Sequence, residues 1–193
     1  MRFNASPKHL IGQHAFLSAS KNAWLNYDDD KLDRVFLAQQ AANHGTELHD
    51  LAARCIKLKQ KLPDTPTTMN LYVNDCIGFG MSPEQVLFYS ANCFGTTDAI
   101  GLRKDPQSGR FVLRIFDLKT GVLKVVTPTQ LKIYAALFCL EYGFSPHEID
   151  IELRIYQNDD CAIYEADPDE IRKIMDRIIV ADRRVNQIRE ENE

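Results

Sequence analysis

Two apolar segments separated by a short turn sequence constrain the fold of this chain more than any other feature. They cover residues 94–102 and 111–118, and Asp105-Pro106-Gln107-Ser108-Gly109 lies between them. Aspartate, proline, serine and glycine favour a reversal of the backbone. The pattern therefore predicts an antiparallel β-hairpin.

The second predicted strand ends in charged residues. Side chains alternate between the two faces of a strand, so Leu113, Ile115, Asp117 and Lys119 share one face. A carboxylate is rare on a buried strand face unless it is paired or bound to a ligand. The pattern also fits a strand end that reaches solvent, and Asp29-Asp30-Lys31 repeats the same Asp-x-Lys spacing elsewhere in the chain.

Asp98 adds a second carboxylate to this strand end. It follows Gly95 in the preceding predicted strand, so the hairpin can bring it beside Asp117. Two carboxylates that approach each other repel unless a cation or a proton lies between them. A divalent metal would bridge them, with the Leu118 carbonyl as a further oxygen ligand, and Lys119 could contact a water and a phosphate oxygen. The alternative is a pair of unrelated surface acids.

The rest of the chain predicts helices around a small sheet. Apolar residues at helical spacing favour helices over residues 18–27, 32–62 and 70–79. Further predicted elements are strands at 86–89, 123–126, 149–156 and 162–165, a helix from about 127 to 142, and a last helix. We expect one α/β domain over residues 1–193, with an N-terminal helical part at about 18–80 and a C-terminal helix at about 168–190.

Capping sequences mark the start of the last two helices. In Thr127-Pro128-Thr129-Gln130, threonine is the expected N-cap, and Gly143 ends the helix; Asp167-Pro168-Asp169-Glu170 repeats this pattern. Gln130 and Tyr134 are four residues apart and share a face of the first of these helices. Seen in isolation, they fit a capping residue and a core aromatic as well as they fit a site.

A possible metal ligand lies upstream, in Gly45-Thr46-Glu47-Leu48-His49 of the predicted long helix. Glu47 and His49 are two residues apart and do not share a helical face, so we expect only one of them to point towards the site. Neutral imidazole binds metals, although a lone helical histidine more often has a structural role.

Composition sets few limits on function. The net charge of −4 does not exclude nucleic acid as a partner, because acidic ligands and bound cations offset one another locally. No apolar stretch approaches the roughly 20 residues that span a bilayer, and no signal peptide is recognisable, so we expect a cytoplasmic protein with no membrane partner. The five cysteines form no Cys-x-x-Cys pair, which favours free thiols over a zinc or iron–sulfur site.

The four segments, in this order, resemble the motifs of the PD-(D/E)XK nuclease superfamily, and especially of its RecB-like exonuclease branch. Residues 45–49 match Gly-x-x-x-His, 95–98 match Gly-x-x-Asp, 117–121 match Asp-x-Lys-Thr-Gly, and 130–134 match Gln-x-x-x-Tyr. The resemblance covers about residues 17–156. Many relatives carry glutamate where this chain has Asp117, and the four cysteines of the iron–sulfur relatives are not present in that arrangement.

The resemblance implies a restriction-endonuclease-like core, in which a small mixed β-sheet is flanked by helices in the order αβββαβ. It implies that His49, Asp98, Asp117 and the Leu118 carbonyl hold Mg²⁺ or Mn²⁺. Catalysis would rest on Asp98, Asp117, Lys119, Gln130 and Tyr134. Lys119 would position the attacking water or help to deprotonate it.

The same resemblance assigns supporting roles within the site and an overall activity. Gln130 would orient the phosphate or the water, and Tyr134 would pack beneath the site or touch DNA. We therefore expect a metal-dependent DNA nuclease, preferably an exonuclease of DNA recombination, repair or phage DNA processing, that leaves a 5′-phosphate. The alternatives are an inactive nuclease-fold protein that binds DNA or has a structural role, a structure-specific endonuclease, and an enzyme acting on RNA. An oligomer or a protein partner stays open.

Overall fold

The computed structural model describes residues 14–121 and 123–192. Within them lie four α-helices and five β-strands. The helices are α1 (Asp29–Leu58), α2 (Thr68–Phe79), α3 (Thr129–Tyr142) and α4 (Pro168–Glu190). The strands are β1 (Ser82–Ser90), β2 (Cys93–Lys104), β3 (Phe111–Leu118), β4 (Ile149–Gln157) and β5 (Asp160–Glu165). The chain divides into two compact units, one ending at His44 and one beginning at Gly45; that both belong to one domain stays a prediction.

The second unit contains one mixed β-sheet in which the strands lie in sequence order, from β1 to β5. β3 and β4 pair in parallel, and the other neighbouring strands pair antiparallel. The predicted hairpin is confirmed, with Lys104 opposite Phe111 beside the turn. A parallel pair needs a crossover connection, which α3 supplies between β3 and β4. The predicted α/β class with a mixed sheet is therefore confirmed.

Helices cover both faces of this sheet. Adjacent residues of β3 point to opposite faces, so the strand contributes to a core on each side. Ile115 faces the core under α3 and α4, whereas Phe116 faces the core under α2 and the end of α1. The first core includes Leu87, Leu113, Leu131, Leu137, Leu153 and Ile171. The second includes Ala52, Ile56, Tyr72, Val73, Ala99 and Leu118. Both cores hold β3 in place, and Asp117 is the next-to-last residue of this strand.

The predicted helix over residues 18–27 is wrong. Only a 3₁₀-helix, Asn22–Asn26, forms there. The Ser18 carbonyl accepts hydrogen bonds from the Lys21 amide and from Trp24 Nε1, while Ser18 Oγ bonds Ser20 Oγ. The Ser18 carbonyl is thus used by a three-residue turn and by an indole, and not by a regular α-helix.

The predicted strand at residues 123–126 is also wrong, since this segment is irregular. The side chain of Gln157, buried at the end of β4, takes the place of a partner strand. Its Nε2 donates to the carbonyls of Gly121 (2.6 Å) and Leu123 (2.8 Å), and its Oε1 accepts from the Val125 amide (2.8 Å). One buried side-chain amide thus fixes the chain that follows the Asp-x-Lys segment.

The predicted Thr127 cap is wrong, and this error matters for the site. α3 begins at Thr129 with Pro128 at the cap position and no capping side chain. Gln130 does not reach back to Thr127, because its amide bonds other residues. In contrast, Asp167 caps α4 by accepting from the Asp169 amide at 3.0 Å, and Gly143 ends α3 with a φ of 71°, both as predicted.

Most other predicted boundaries agree with the structure to within a few residues. α1 ends at Leu58 rather than near residue 62, and β1 extends beyond the predicted 86–89. No helix within residues 14–121 and 123–192 is long and apolar enough to cross a membrane.

We expect Gln157→Ala to lower the free energy of unfolding by about 2 kcal/mol, because three backbone groups lose a partner that is buried. Chemical denaturation measures the change, with Gln107→Ala, in the exposed hairpin turn, as the control. A loss no larger than that of the control would show that the loop does not depend on Gln157.

Candidate active site

The site is centred on Asp117, the next-to-last residue of β3. Its side chain is on the same face as Leu113 and Ile115, and only 3% of the residue is exposed. A carboxylate at this depth has lost most of its hydration, which costs free energy unless charged or hydrogen-bonded partners replace the water. The alternative of a strand end that simply reaches solvent does not fit this burial.

Asp98 lies beside this residue, as the predicted hairpin requires. The β2–β3 pairing proceeds from Lys104 opposite Phe111 to Ala99 opposite Phe116. Beyond the last pair, Asp98 Oδ2 accepts a hydrogen bond from the Leu118 amide at 2.9 Å. The carboxylate group thus occupies the position that a backbone carbonyl would take in a longer ladder. The position of the Leu118 carbonyl as a metal ligand stays a prediction.

His49 joins the two carboxylates from α1. Its Nδ1 lies 3.4 Å from Asp98 Oδ2, and both side chains are partly buried. Glu47 is exposed, so His49 is the residue of this helix segment that faces the site. The structure therefore brings together one imidazole and two carboxylates from a helix and two strands.

Lys119 is held between a carboxylate and an amide. Its Nζ donates to Asp117 Oδ1 at 3.1 Å and to Gln130 Oε1 at 3.0 Å. Nζ also lies 2.9 Å from Asp117 Oδ2, but this oxygen is buried without a hydrogen-bond partner of good geometry among the described residues. Asp117 therefore keeps one buried oxygen without a hydrogen bond.

Gln130 and Tyr134 extend this network to β2. Gln130 Nε2 donates to the Tyr134 hydroxyl at 3.2 Å, and that hydroxyl donates to the Thr96 carbonyl at 2.7 Å. A continuous chain of contacts consequently joins Thr96, Tyr134, Gln130, Lys119 and Asp117. This chain of contacts fixes the Lys119 ammonium relative to β2 and β3.

Two glycines of the predicted motifs allow close contacts within the site. A Cβ atom on Gly45 would lie 2.7 Å from Thr120 Oγ1, and one on Gly95 would lie 2.9 Å from Cε1 of Tyr134. Both separations are shorter than van der Waals contact. The Gly-x-x-x-His segment therefore packs on the Asp-x-Lys-Thr-Gly segment, and Gly-x-x-Asp packs on Gln-x-x-x-Tyr.

The charges of the site shift two pKa values upwards. The hydrogen bond and charge of Asp98 raise the pKa of His49, against the opposing effect of burial. Burial, followed by the negative charge of Asp98, raises the pKa of Asp117, although Lys119 opposes this. The site thus holds more negative charge than its buried position favours, and a bound cation would relieve it.

The residue types of the site suit a magnesium or manganese ion, but their side chains are not arranged around one metal position. Carboxylate oxygens suit these ions, and Asp117 Oδ2 accepts no hydrogen bond of good geometry among the described residues, although the Lys119 ammonium lies 2.9 Å from it. Among the described residues, however, no three His, Cys, Asp or Glu side chains converge on one metal position. His49 contacts Asp98 instead, and Lys119 contacts Asp117.

Sequence reasoning missed three contributors to this region. Thr96 acts through its backbone carbonyl, which no residue-type pattern reveals, and Thr120 acts through its packing against Gly45. Asp159, which accepts from the Thr68 amide at 2.8 Å, lines a cavity of about 310 Å³ beside Lys119. A larger apolar groove of about 560 Å³ along α4 is lined by none of the predicted site residues.

Comparisons of the chain with protein-family models, with curated proteins and with solved structures found no match. The geometry of the site therefore carries the functional argument.

We expect Gly45→Ala to have opposite effects in two backgrounds. In the native chain it should destabilise by about 1 kcal/mol, because the new methyl meets Thr120 Oγ1. In Thr120→Ala it should stabilise by up to about 1 kcal/mol, because alanine favours helix over glycine and the remaining Thr120 Cβ position is 3.8 Å away. Denaturant titrations of the four proteins of this double-mutant cycle measure the coupling. A change of the same sign in both backgrounds would mean that the close contact has no energetic effect.

We expect Asp117→Asn to raise the melting temperature of the metal-free protein at pH 8. The raised folded-state pKa means that stability falls as pH rises from the unfolded-state value of about 3.9 through the folded-state value, and the variant escapes this loss. Melting curves in EDTA at acidic pH and at pH 8 should diverge with increasing pH. Asp182→Asn is the control of opposite sign, because hydrogen bonds from Ser90 and Asn92 lower the pKa of Asp182. A lower melting temperature of Asp117→Asn at pH 8 would contradict the expectation.

Proposed function

We propose that this protein is a Mg²⁺- or Mn²⁺-dependent DNA nuclease of the PD-(D/E)XK type, and that its restriction-endonuclease-like core is the mixed sheet with α3 between the parallel strands. The observation that carries the proposal is the buried Asp117 carboxylate, which lies beside Asp98 and Lys119 and keeps one oxygen without a hydrogen bond. The Lys119 ammonium is the only positive charge in contact with this carboxylate among the ion pairs of the described residues, at 2.9 Å from the same oxygen. A bound cation would offset the remaining negative charge of the two carboxylates.

His49, Asp98, Asp117 and the Leu118 carbonyl are the groups that would hold the metal. When bound, the ion would polarise the phosphate and lower the pKa of a water molecule. The chain itself supplies the excess negative charge that attracts the cation, since burial and the neighbouring Asp98 disfavour the Asp117 carboxylate. His49 contributes through its contact with Asp98, whose carboxylate it orients from α1.

Lys119 is the residue that would act on the reacting groups. Its ammonium can donate to a phosphate oxygen or to the attacking water, because it is only partly buried and lies at the rim of the cavity. Gln130 and Tyr134 hold it in position through their hydrogen bonds to each other and to Thr96. Pre-positioned charge of this kind is worth more in a partly buried site than in water.

DNA is the proposed substrate, and cleavage from an end is preferred over internal cleavage because the motif order resembles the RecB-like branch. Hydrolysis would leave a 5′-phosphate and a 3′-hydroxyl. The four motif segments meet pairwise through Gly45 and Gly95, which supports one assembled site rather than four coincidental sequence matches.

Asp117→Asn and Lys119→Met should each lower metal-dependent cleavage of end-labelled linear DNA by at least about 100-fold. The matched controls are Asp29→Asn and Lys31→Met, because Asp29-Asp30-Lys31 has the same spacing at the start of α1 but does not follow a strand. These controls should retain wild-type rates. Thermal melting of every variant establishes that it is folded.

The assay uses linear duplex, single-stranded and circular DNA with Mg²⁺, Mn²⁺ or EDTA. Cleavage of the circle would assign an endonuclease. Equal activity in wild type and both site variants would rule out the proposed site. Absence of cleavage of every DNA in the presence of either metal would favour a nuclease-fold protein without turnover.

A further inference from the structure

The β1–β2 hairpin continues past the end of β3 as a two-stranded ribbon that carries exposed aromatic residues. β3 pairs with β2 only from Ala99 onwards, so among the described residues the preceding part of β2 pairs with β1 alone. Phe88 and Phe94 are directly opposite each other on this ribbon and are 51% and 61% exposed. Their ring centroids are 6.3 Å apart at an interplanar angle of 29°.

These two rings have no role in the core. Leu87, adjacent to Phe88, is the β1 residue that is buried against α3, and Gly95, adjacent to Phe94, lies under the Tyr134 ring. Because neighbouring residues of a strand point to opposite faces, Phe88 and Phe94 point away from α3. Val86, also on the outward face, is 48% exposed. We call Phe88 and Phe94 the aromatic pair.

The ribbon that carries the aromatic pair is anchored at several points. The Phe88 amide donates to Glu141 Oε2 of α3 at 2.8 Å. At the ribbon turn, Ser90 Oγ and Asn92 Nδ2 donate to Asp182 of α4 at 2.5 and 2.8 Å. The backbone that carries the rings is therefore held in place, which lowers the entropic cost of binding a ligand on them.

The aromatic pair is also connected to the candidate active site along β2. Phe94 precedes Gly95, and Asp98 is four residues further along the same strand. The Thr96 carbonyl accepts from Tyr134, whose hydroxyl bonds Gln130, the partner of Lys119. A molecule stacked on the rings would thus lie at a fixed offset from the proposed catalytic lysine.

We propose that the aromatic pair binds an unpaired nucleobase of the DNA substrate, so that the preferred substrate has a single-stranded end. This inference rests on the proposed function. Exposed aromatic faces bind flat heteroaromatic rings by stacking, and they do so with little sequence preference. Inside a duplex both faces of a base are covered by its neighbours, so internal paired bases cannot stack on the aromatic pair, whereas unpaired bases can.

The charge of the ribbon supports a base rather than a phosphate as the bound group. Residues 82–102 contain no lysine or arginine. Phosphate contacts give binding a steep salt dependence, whereas stacking does not. The contribution of the aromatic pair to affinity should therefore be nearly independent of salt, even though total DNA binding weakens as salt rises.

The test measures binding of fluorescent single-stranded oligothymidine and of an abasic strand of equal length by anisotropy, in the 193-residue Asp117→Asn protein with EDTA, so that metal-dependent cleavage does not consume the strands. The double variant Phe88→Ala/Phe94→Ala should bind oligothymidine about 10-fold more weakly or worse. Its affinity for the abasic strand should be unchanged. Phe88→Tyr/Phe94→Tyr should restore binding, and Val86→Ala, which removes an exposed aliphatic group from the same face, should have no effect.

Several results would overturn this inference. They are unchanged oligothymidine binding by the alanine variant, an equal loss on the abasic strand, a loss that the tyrosine variant does not reverse, and the absence of DNA binding by the parent protein. A change in sedimentation of the alanine variant would instead assign the aromatic pair to contacts between copies of the chain. Metal-dependent cleavage by the wild type alongside unchanged binding by the alanine variant would reject the aromatic pair and keep the nuclease. Base-dependent binding without any cleavage would reject the nuclease and keep the pair.

Discussion

The hydrogen bond from the Leu118 amide to the Asp98 carboxylate is the contact on which the candidate site depends. The backbone ladder between β2 and β3 ends at the pair Ala99 and Phe116, and a side chain continues it by one bond. A charged acceptor makes such a bond shorter and stronger than one between neutral groups. The pairing of β2 and β3, which cores on both faces stabilise, thereby brings the carboxylates of Asp98 and Asp117 close together. Lys119 directly follows Leu118 in the chain, so the hydrogen bond of the Leu118 amide also helps to position Lys119.

Around this contact, the site is built by parts of the chain that are distant in sequence and have little freedom to move. Gly45 and Gly95 let a helix and a strand approach Thr120 and Tyr134 at distances that a side chain would prevent. The side-chain hydrogen bonds of Gln130 and Tyr134 to other described residues all lie within the site. The result is that the Asp117 carboxylate is held in a buried position although its burial costs free energy. Such local destabilisation, compensated by the surrounding fold, is characteristic of functional sites.

Much of the fold was predictable from the sequence, because it follows from local patterns. The hairpin, the strands on both sides of α3, the Asp167 cap and the Gly143 end are encoded by alternation and by capping residues. The errors occurred where a residue had two potential partners. Gln130 fits a capping box as well as a lysine contact, and only the three-dimensional position of Lys119 decides between them. The segment at 123–126 looked like a strand because nothing nearby in sequence indicated that Gln157 would bond its backbone. For the site, residue types were predictable, but the contact between His49 and Asp98 and the burial of the Asp117 carboxylate against Lys119 required the structure.

The role of Gln157 has a consequence for how this protein can vary. The segment at 123–126 is bonded through backbone groups, and two of its side chains are exposed, Leu123 at 85% and Val126 at 69%, while Val125 packs against the core. Backbone groups are the same for every residue except proline, which lacks an N–H, so the exposed positions 123 and 126 can vary while the conformation persists. The selective constraint falls instead on a single glutamine more than thirty positions later, at the end of β4. Homologues would accordingly be recognised by that glutamine rather than by the loop that it holds.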